Sequence, residues 1–447
     1  MSKQFDLVKD NEKKLFFRYL IPGLLGMIML SGYVFVDALC VGRALGGKGL
    51  AALNVSTPSI SLMYATGFLF ATGSATLYSI FKGKKEDKTA KEIYTFGFVC
   101  ALIVGLTYAI IGLIFIEKIA YFLGATKNNI SFTKQYLGTI LLFAPFFVID
   151  IFMNVFVRND KAPHIAMIAT ISCCSLNVVL DVLFVFGFGM GMFGAGLATA
   201  LSAVLSVIIN FSYSLTKKSG IKLVKFKPQL KILKRILSNG ISSFISEMSV
   251  GIVTIAFNKV ILNLIGDIGV ASYGIIANIN LIFFSIFMGT AQTIQPLVSV
   301  NYGAEKIERV FKFFKLGVIF STIAGVIFTT ICVAFPYELS SIFVKDKEII
   351  NITANAMKVY GIAYLFMGIN ILFDAFFYSV EKPKFAVTIS LSRALIIVLI
   401  MLFTLSNMLG IKGVWITVPI TEIITIVIGA NLFLSYKKIY NLKTQVN

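Results

Sequence analysis

Asn177 and Asp181 stand four residues apart inside an apolar run from about Pro163 to Gly187. On a helix that spacing puts an amide oxygen and a carboxylate side by side on one face. A run of this length with no other charge reads as a membrane span. A carboxylate there needs a partner, a proton or a cation, because an isolated charge in hydrocarbon costs at least ~2.5 kcal/mol. On the pair alone two readings stay open, a structural hydrogen bond between helices and an ion site. Asp37, near the far end of the first apolar run, and Thr199, a few residues into the run after residues 187–191, bear on the choice. Counted from the centre of that hairpin, Asp181 and Thr199 lie about 12 to 15 Å deep at roughly 1.5 Å per residue, and Asp37 reaches a comparable level. Two carboxylates, one amide and one hydroxyl then converge in one layer, which makes an all-oxygen cation site or a proton site with its partners. Two carboxylates in one apolar site cannot both stay ionised without a cation, so Na⁺ or H⁺ would set the charge of the pair.

The elements that must position these groups follow from composition. With 57% hydrophobic and only 14% charged residues, the chain is an all-α polytopic membrane protein. Twelve apolar spans are expected, near residues 16–41, 50–81, 93–116, 132–157, 163–186, 192–215, 236–265, 269–302, 310–335, 352–380, 383–407 and 413–436. The runs lack alternation and are too long for strands, which excludes a closed β-barrel. The first follows a charged start and is too long for a signal peptide, so it stays attached. The five cysteines lie in apolar spans without metal-ligand spacing and read as packing residues. His164 is the only histidine, which removes histidine-based metal sites and triads. No metal beyond Na⁺ at the cation site, no cofactor and no enzymatic activity are expected.

The net charge of +19 could suggest nucleic acid, but position decides against it. The termini and even-numbered loops hold 29 Lys and Arg, the odd-numbered loops 8. That bias places both termini in the cytoplasm of a prokaryotic cell membrane. The loop Lys217 to Arg235, with Lys222, Lys225, Lys227, Lys231 and Lys234, is expected to touch anionic lipid as well.

The chain is also written twice. One constant shift of the sequence against itself aligns Gly46 with Gly266, Gly83 with Gly303, Gly97 with Gly317, Gly105 with Gly325 and Pro163 with Pro383. An offset held without gaps is hard to obtain by chance. It predicts two parallel six-helix repeats, an amino-terminal lobe over 1–215, a cytoplasmic linker over 216–235 and a carboxyl-terminal lobe over 236–447. Such repeats are typical of secondary transporters, which alternate access by rocking one half against the other. At the same offset Asp150 with Asn154 becomes Asn370 with Asp374, the pair with its members swapped. Lys259 and Arg393, inside spans, are expected to pair with acids such as Asp150 and Asp374 or to snorkel, and Glu422 is a further acid inside a span, on which polar glue and transport both stay open. Pro22 and Gly32 are candidate hinges in the first span, since proline removes a backbone donor and glycine adds freedom.

Asp37-Ala-Leu-Cys-Val-Gly42 followed by Leu45-Gly46, with Pro22 earlier in the span, and Asn177-xxx-Asp181 with Thr199 after Gly194 and Gly196, resemble the multidrug and toxic compound extrusion (MATE) family. So do Gly266-Asp-Ile-Gly-Val-Ala-Ser-Tyr-Gly-Ile and Arg158-Asn-Asp-Lys-Ala-Pro163. The resemblance covers nearly the whole chain. It implies twelve helices in two lobes, a central cavity, and antiport of Na⁺ or H⁺ against amphipathic, often cationic drugs, with antibiotic resistance as its consequence. It also implies that Asp37, Asn177, Asp181 and Thr199 form the cation site. Spans 1, 2, 7 and 8 would line the cavity with Tyr33, Phe35, Met63, Tyr64, Asn258, Tyr273, Asn278, Met288, Gln292 and Gln295. Sulfur and ring faces suit flat cations. Glu247 and Asp374 are a candidate second acidic site. A monomer in contact with lipid is expected. A flippase for a lipid-linked precursor is the alternative, but it would want several arginines for a pyrophosphate, and Arg393 is the only one deep in a span.

Overall fold

A computed structural model describes residues 5–446. Among them the regular structure is helical, without a strand. The chain order is α1 (Glu12–Gly83), α2 (Asp87–Ile114), α3 (Ile116–Phe122), α4 (Ile130–Leu142), α5 (Ala144–Asn159), α6 (Pro163–Asp181), α7 (Gly191–Leu215) and α8 (Leu230–Gly303). There follow α9 (Ile307–Ala334), α10 (Pro336–Ser341), α11 (Lys347–Tyr360), α12 (Tyr364–Ser379), α13 (Pro383–Leu391), α14 (Ile397–Leu409) and α15 (Ile411–Val446).

Nine described helices are long and apolar enough to cross a membrane, or ten when the α4 and α5 pair, bent by 51°, counts as one span. Two of the nine hold two crossings each. At about 1.5 Å per residue a helix of 72 residues would reach over 100 Å, several times a bilayer core of ~30 Å. α1 breaks at Gly46 (φ 63°, ψ −156°) and the 74-residue α8 at Gly266 (φ 70°, ψ −159°). Both positions need a residue without a Cβ. The fold therefore has the twelve crossings expected, in two repeats.

The offset between the repeats reappears in the backbone itself. Gly46 and Gly266 share one left-handed conformation, Lys85 (φ 65°) matches Glu305 (φ 60°), and Lys161 (φ 68°) matches Glu381 (φ 52°). Pro163 and Pro383 each open a helix, where a missing N–H costs nothing. The ring pair Tyr94–Phe156, 5.0 Å between centroids, recurs as Phe314–Phe376 at 4.8 Å, edge-to-face in the first repeat and tilted in the second.

The helices form two compact units. The first runs to Met248 and includes Ser299–Val310; the second comprises Ser249–Val298 and the chain from Phe311 onward. In the first, the core centres on Phe147, Phe152, Phe156, Tyr94 and Tyr136, all nearly fully buried. The segment before α1 is clasped there, with Asn301 Nδ2 donating to Leu7 O at 3.0 Å and Arg309 Nη2 to Asp10 O at 2.7 Å. Also in this unit, repeat-related glycines meet: a Cβ on Gly83 would overlap Val300 O, and one on Gly303 would overlap Ile80 O. Ile80 and Val300 are themselves related by the same offset, so the contact is reciprocal. Since overpacking a tight contact costs about 1–3 kcal/mol, Gly83→Leu is expected to lower the melting temperature of purified protein by several degrees. An unchanged melting curve would show that the two backbones do not need this approach. In the second unit Phe314, Phe373, Phe376 and Phe433 pack ring on ring, with centroids 4.8 to 5.9 Å apart.

α1 stays helical through Pro22 and Gly32; its one departure from helical geometry is at Gly46. Pro22 leaves the helix unbroken because neighbouring turns absorb a single lost donor.

Candidate cation site

Three helices of the first unit build the site. α6 packs against both α1 and α7, and its last turn carries Asn177 and Asp181, each 0% exposed. α1 brings Asp37 and α7 brings Thr199, also buried. Immediately after Asp181 the helix widens into a π-turn, Val182–Gly187, a form that concentrates at functional sites.

Hydrogen bonding determines which atoms remain available. Asn177 Nδ2 donates to Thr199 Oγ1 at 3.3 Å, and Thr199 Oγ1 donates to Ala195 O at 3.1 Å. The Asn177 amide is thereby oriented with its oxygen left over. Asn177 Oδ1, Asp37 Oδ1 and both carboxylate oxygens of Asp181 are buried and receive no hydrogen bond. The Asp37 and Asp181 carboxyl groups stand within hydrogen-bonding reach of each other. Four buried acceptors at one place, two of them on a single carboxylate, repel unless something positive sits among them. A shared proton or a bound cation meets that need. Among the described residues no group of three or more His, Cys, Asp or Glu could hold a metal ion.

The structure thus brings Asp37, Asn177, Asp181 and Thr199 together. It adds Tyr136 on α4, 2% exposed, whose hydroxyl lies near Thr199. Gly196 lets α4 come this near, since a Cβ there would meet Thr139 Cβ at 3.1 Å and Tyr136 O at 3.2 Å. Nothing in the sequence singles out this tyrosine from the other sixteen.

The remaining candidates are placed as follows. Tyr33 lies beside Tyr64 in the first unit, and Met63 is buried in that unit's core at 1% exposure. Tyr273 stacks on Phe257, centroids 5.1 Å apart. Asn278 is exposed and donates to Gly274 O, and Asn258, Met288 and Gln292 are half-buried. Glu247 falls in the first unit and Asp374 in the second. Asn154 of the swapped pair donates to Ala166 O and Thr170 Oγ1 and accepts from Arg158, which is a structural tie. Lys259 is exposed. Arg393 is not: it forms an ion pair with Glu422, Nε to Oε1 at 2.8 Å.

A family model described as MatE matches the sequence twice, over residues 22–183 and 242–404. The chain belongs to the MatE family. The two MatE windows begin at positions 22 and 242, the same offset that relates Gly46 to Gly266, so the family unit and the internal repeat coincide. The chain is 27% identical over 412 residues to the multidrug export protein MepA of Staphylococcus saprophyticus, covering 90% of this chain and 89% of that protein. It is 27% identical over 422 residues to MepA of Staphylococcus aureus, covering 92% and 90%. Its fold matches that of an outward-facing multidrug resistance MATE family transporter of the MOP superfamily, with a TM-score of 0.92, 22% identity and 99% of each chain covered. It likewise matches a MATE crystal structure in the bent conformation, with a TM-score of 0.90, 22% identity, and coverage of 100% of this chain and 99% of that one.

Proposed function

We propose that this MATE protein exports amphipathic, often cationic drugs from the cytoplasm, driven by inward movement of Na⁺ or H⁺ through the Asp37, Asn177, Asp181 and Thr199 site. The observation that carries the reading is the set of four buried, unbonded oxygens on these residues, in a chain related end to end to multidrug export proteins. Transport, not catalysis, is the work of the family. Orientation follows the basic termini and even loops, with the amino and carboxyl ends in the cytoplasm. In this scheme cation or proton occupancy neutralises the outer part of the first span, lets it bend near Pro22 or Gly32, and releases drug outward; loss of the ion favours reloading from within. The flippase reading is weaker, because a pyrophosphate would want several arginines and Arg393 is the only one deep in a span.

The test is transport by purified protein in proteoliposomes, with a fluorescent organic cation and either a Na⁺ or a pH gradient imposed. Uphill dye movement under one gradient, collapsing when it is dissipated, is the expected result. Dye that never moves uphill under either gradient would overturn the reading.

A further inference from the structure

The second unit contains a charged cluster that the proposed coupling mechanism does not use. Arg393 lies in a π-turn, Ser392–Ile396, between α13 and α14. It sits ten residues beyond Pro383, Glu422 eleven beyond Ile411 and Asn370 nine before Ser379. At about 1.5 Å per residue all three are ~14–16 Å from their helix ends, at the middle of the bilayer. Glu422, 2% exposed, is fully served: Oε1 accepts from Arg393 Nε at 2.8 Å, and Oε2 accepts from Asn370 Nδ2 at 2.7 Å. Arg393 is not fully served. Its guanidinium spends only Nε on the carboxylate and rests over the Phe284 ring, 5.6 Å from the centroid. Neither Nη group donates to any described residue, and with the side chain 14% exposed the fork is not sealed off.

A purely structural staple explains the Nε contact and the Asn370 bond. It does not explain an open pair of donors at a depth where unpaired donors are expensive. A staple built for packing alone would place the carboxylate across the Nη edge, where two parallel bonds form. The first repeat offers no counterpart, for the offset that pairs Gly266 with Gly46 pairs Arg393 with Cys173 and Glu422 with Ser202. The feature therefore belongs to this half alone and is not inherited from the duplication.

We propose that the Nη edge of Arg393 is a substrate subsite for a carboxylate carried on a flat aromatic molecule. The two Nη donors take the carboxylate bidentately, Phe284 offers a ring face beside it, and Glu422 with Asn370 holds the guanidinium in place from the other side. The substrate class thereby extends from organic cations to zwitterions whose anionic end is read in the second unit. This rests on the export reading above, yet binding is separable from coupling.

A rhodamine free acid and its methyl ester make a matched pair of probes, differing at the carboxylate alone. Their binding to full-length purified protein in detergent is read by fluorescence anisotropy, with no ion gradient. Wild type is expected to bind the acid at least about ten-fold more tightly than the ester. Arg393→Gln combined with Glu422→Gln leaves no unpaired buried charge and keeps side chains that can hydrogen-bond. It should lose that preference while binding the ester within about two-fold of wild type. Arg393→Lys retains the charge without the fork and should keep only part of the preference. An equal loss for both dyes, no loss for either, or a wild type indifferent to the carboxylate would each overturn the proposal. Failure of the export reading would appear elsewhere, as absent gradient-driven transport.

Discussion

Asp37→Asn and Asp181→Asn will each abolish uphill drug efflux while leaving the protein inserted and present at normal abundance. The energy at stake is large. In the proposed scheme one cation crossing roughly 150 mV supplies about 3.5 kcal/mol, enough for a few-hundred-fold gradient of a neutral drug, and all of it would depend on the ion visiting the site. An Asn at either position removes the charge that attracts the ion and brings an amide N–H₂ among acceptors. The new donor satisfies the crowded oxygens permanently, where a proton or Na⁺ does so reversibly. The folded state should tolerate it well, because the new amide can donate to orphaned oxygens that remain, those of Asp181 and Asn177 in the first variant and those of Asp37 and Asn177 in the second. The measurement is dye accumulation in energised cells, with the amount of membrane-inserted protein quantified in parallel. Efflux at the wild-type rate from either variant would remove the site from the mechanism.

The grouping of the candidate site's residues was legible because its signal is local. Asn177 and Asp181 are one helical turn apart in an otherwise uncharged run, and their depth follows from counting to the nearest hairpin. The repeat was legible for a similar reason. Glycine and proline mark backbone events that other residues avoid, so Gly46 with Gly266 and Pro163 with Pro383 keep their places through divergence of the rest. The left-handed pairs Lys85 with Glu305 and Lys161 with Glu381 carry no such mark, since any residue held by the surrounding helices can be forced there. Tyr136 was hidden because its role depends on how closely α4 approaches α7, and no spacing along the sequence encodes that. Arg393 and Glu422 stood out as charges in apolar spans, but their partnership joins different helices and had several combinations open to it. The unspent half of the guanidinium emerges only from the distances.

Asp160 stands in the sequence only as one member of the segment Arg158-Asn-Asp-Lys-Ala-Pro163, yet Asp160→Ala should cause the largest loss of stability of any single change at the α5 end of the first unit. Its position between α5 and α6 reads as an ordinary acid in a short loop. In the fold it is 8% exposed and gathers four donors from three places. Tyr78 Oη, at the end of α1, donates to Oδ1 at 2.8 Å. Tyr213 Oη, from the end of α7, donates to Oδ2 at 3.0 Å, where Ser219 Oγ at 3.1 Å and the Gly220 N–H at 2.7 Å also donate. Truncation leaves Tyr78 Oη and the Gly220 N–H without an acceptor, while Tyr213 Oη and Ser219 Oγ keep only their second acceptors, Asp160 O and Ile221 O. Each buried donor left unsatisfied costs about 1–3 kcal/mol, so together they are a large fraction of a typical folding free energy. Asp160→Asn should be much milder, at about 1–2 kcal/mol. Its amide oxygen can occupy the Oδ2 position and keep three donors, while its nitrogen turns to Tyr78, whose hydroxyl accepts as readily as it donates. Thermal unfolding in detergent, followed by loss of the monodisperse peak on size exclusion, distinguishes the two. If Ala melts with wild type, or if Asn melts as early as Ala, the carboxylate is not the acceptor that ties α1, α5 and α7 together.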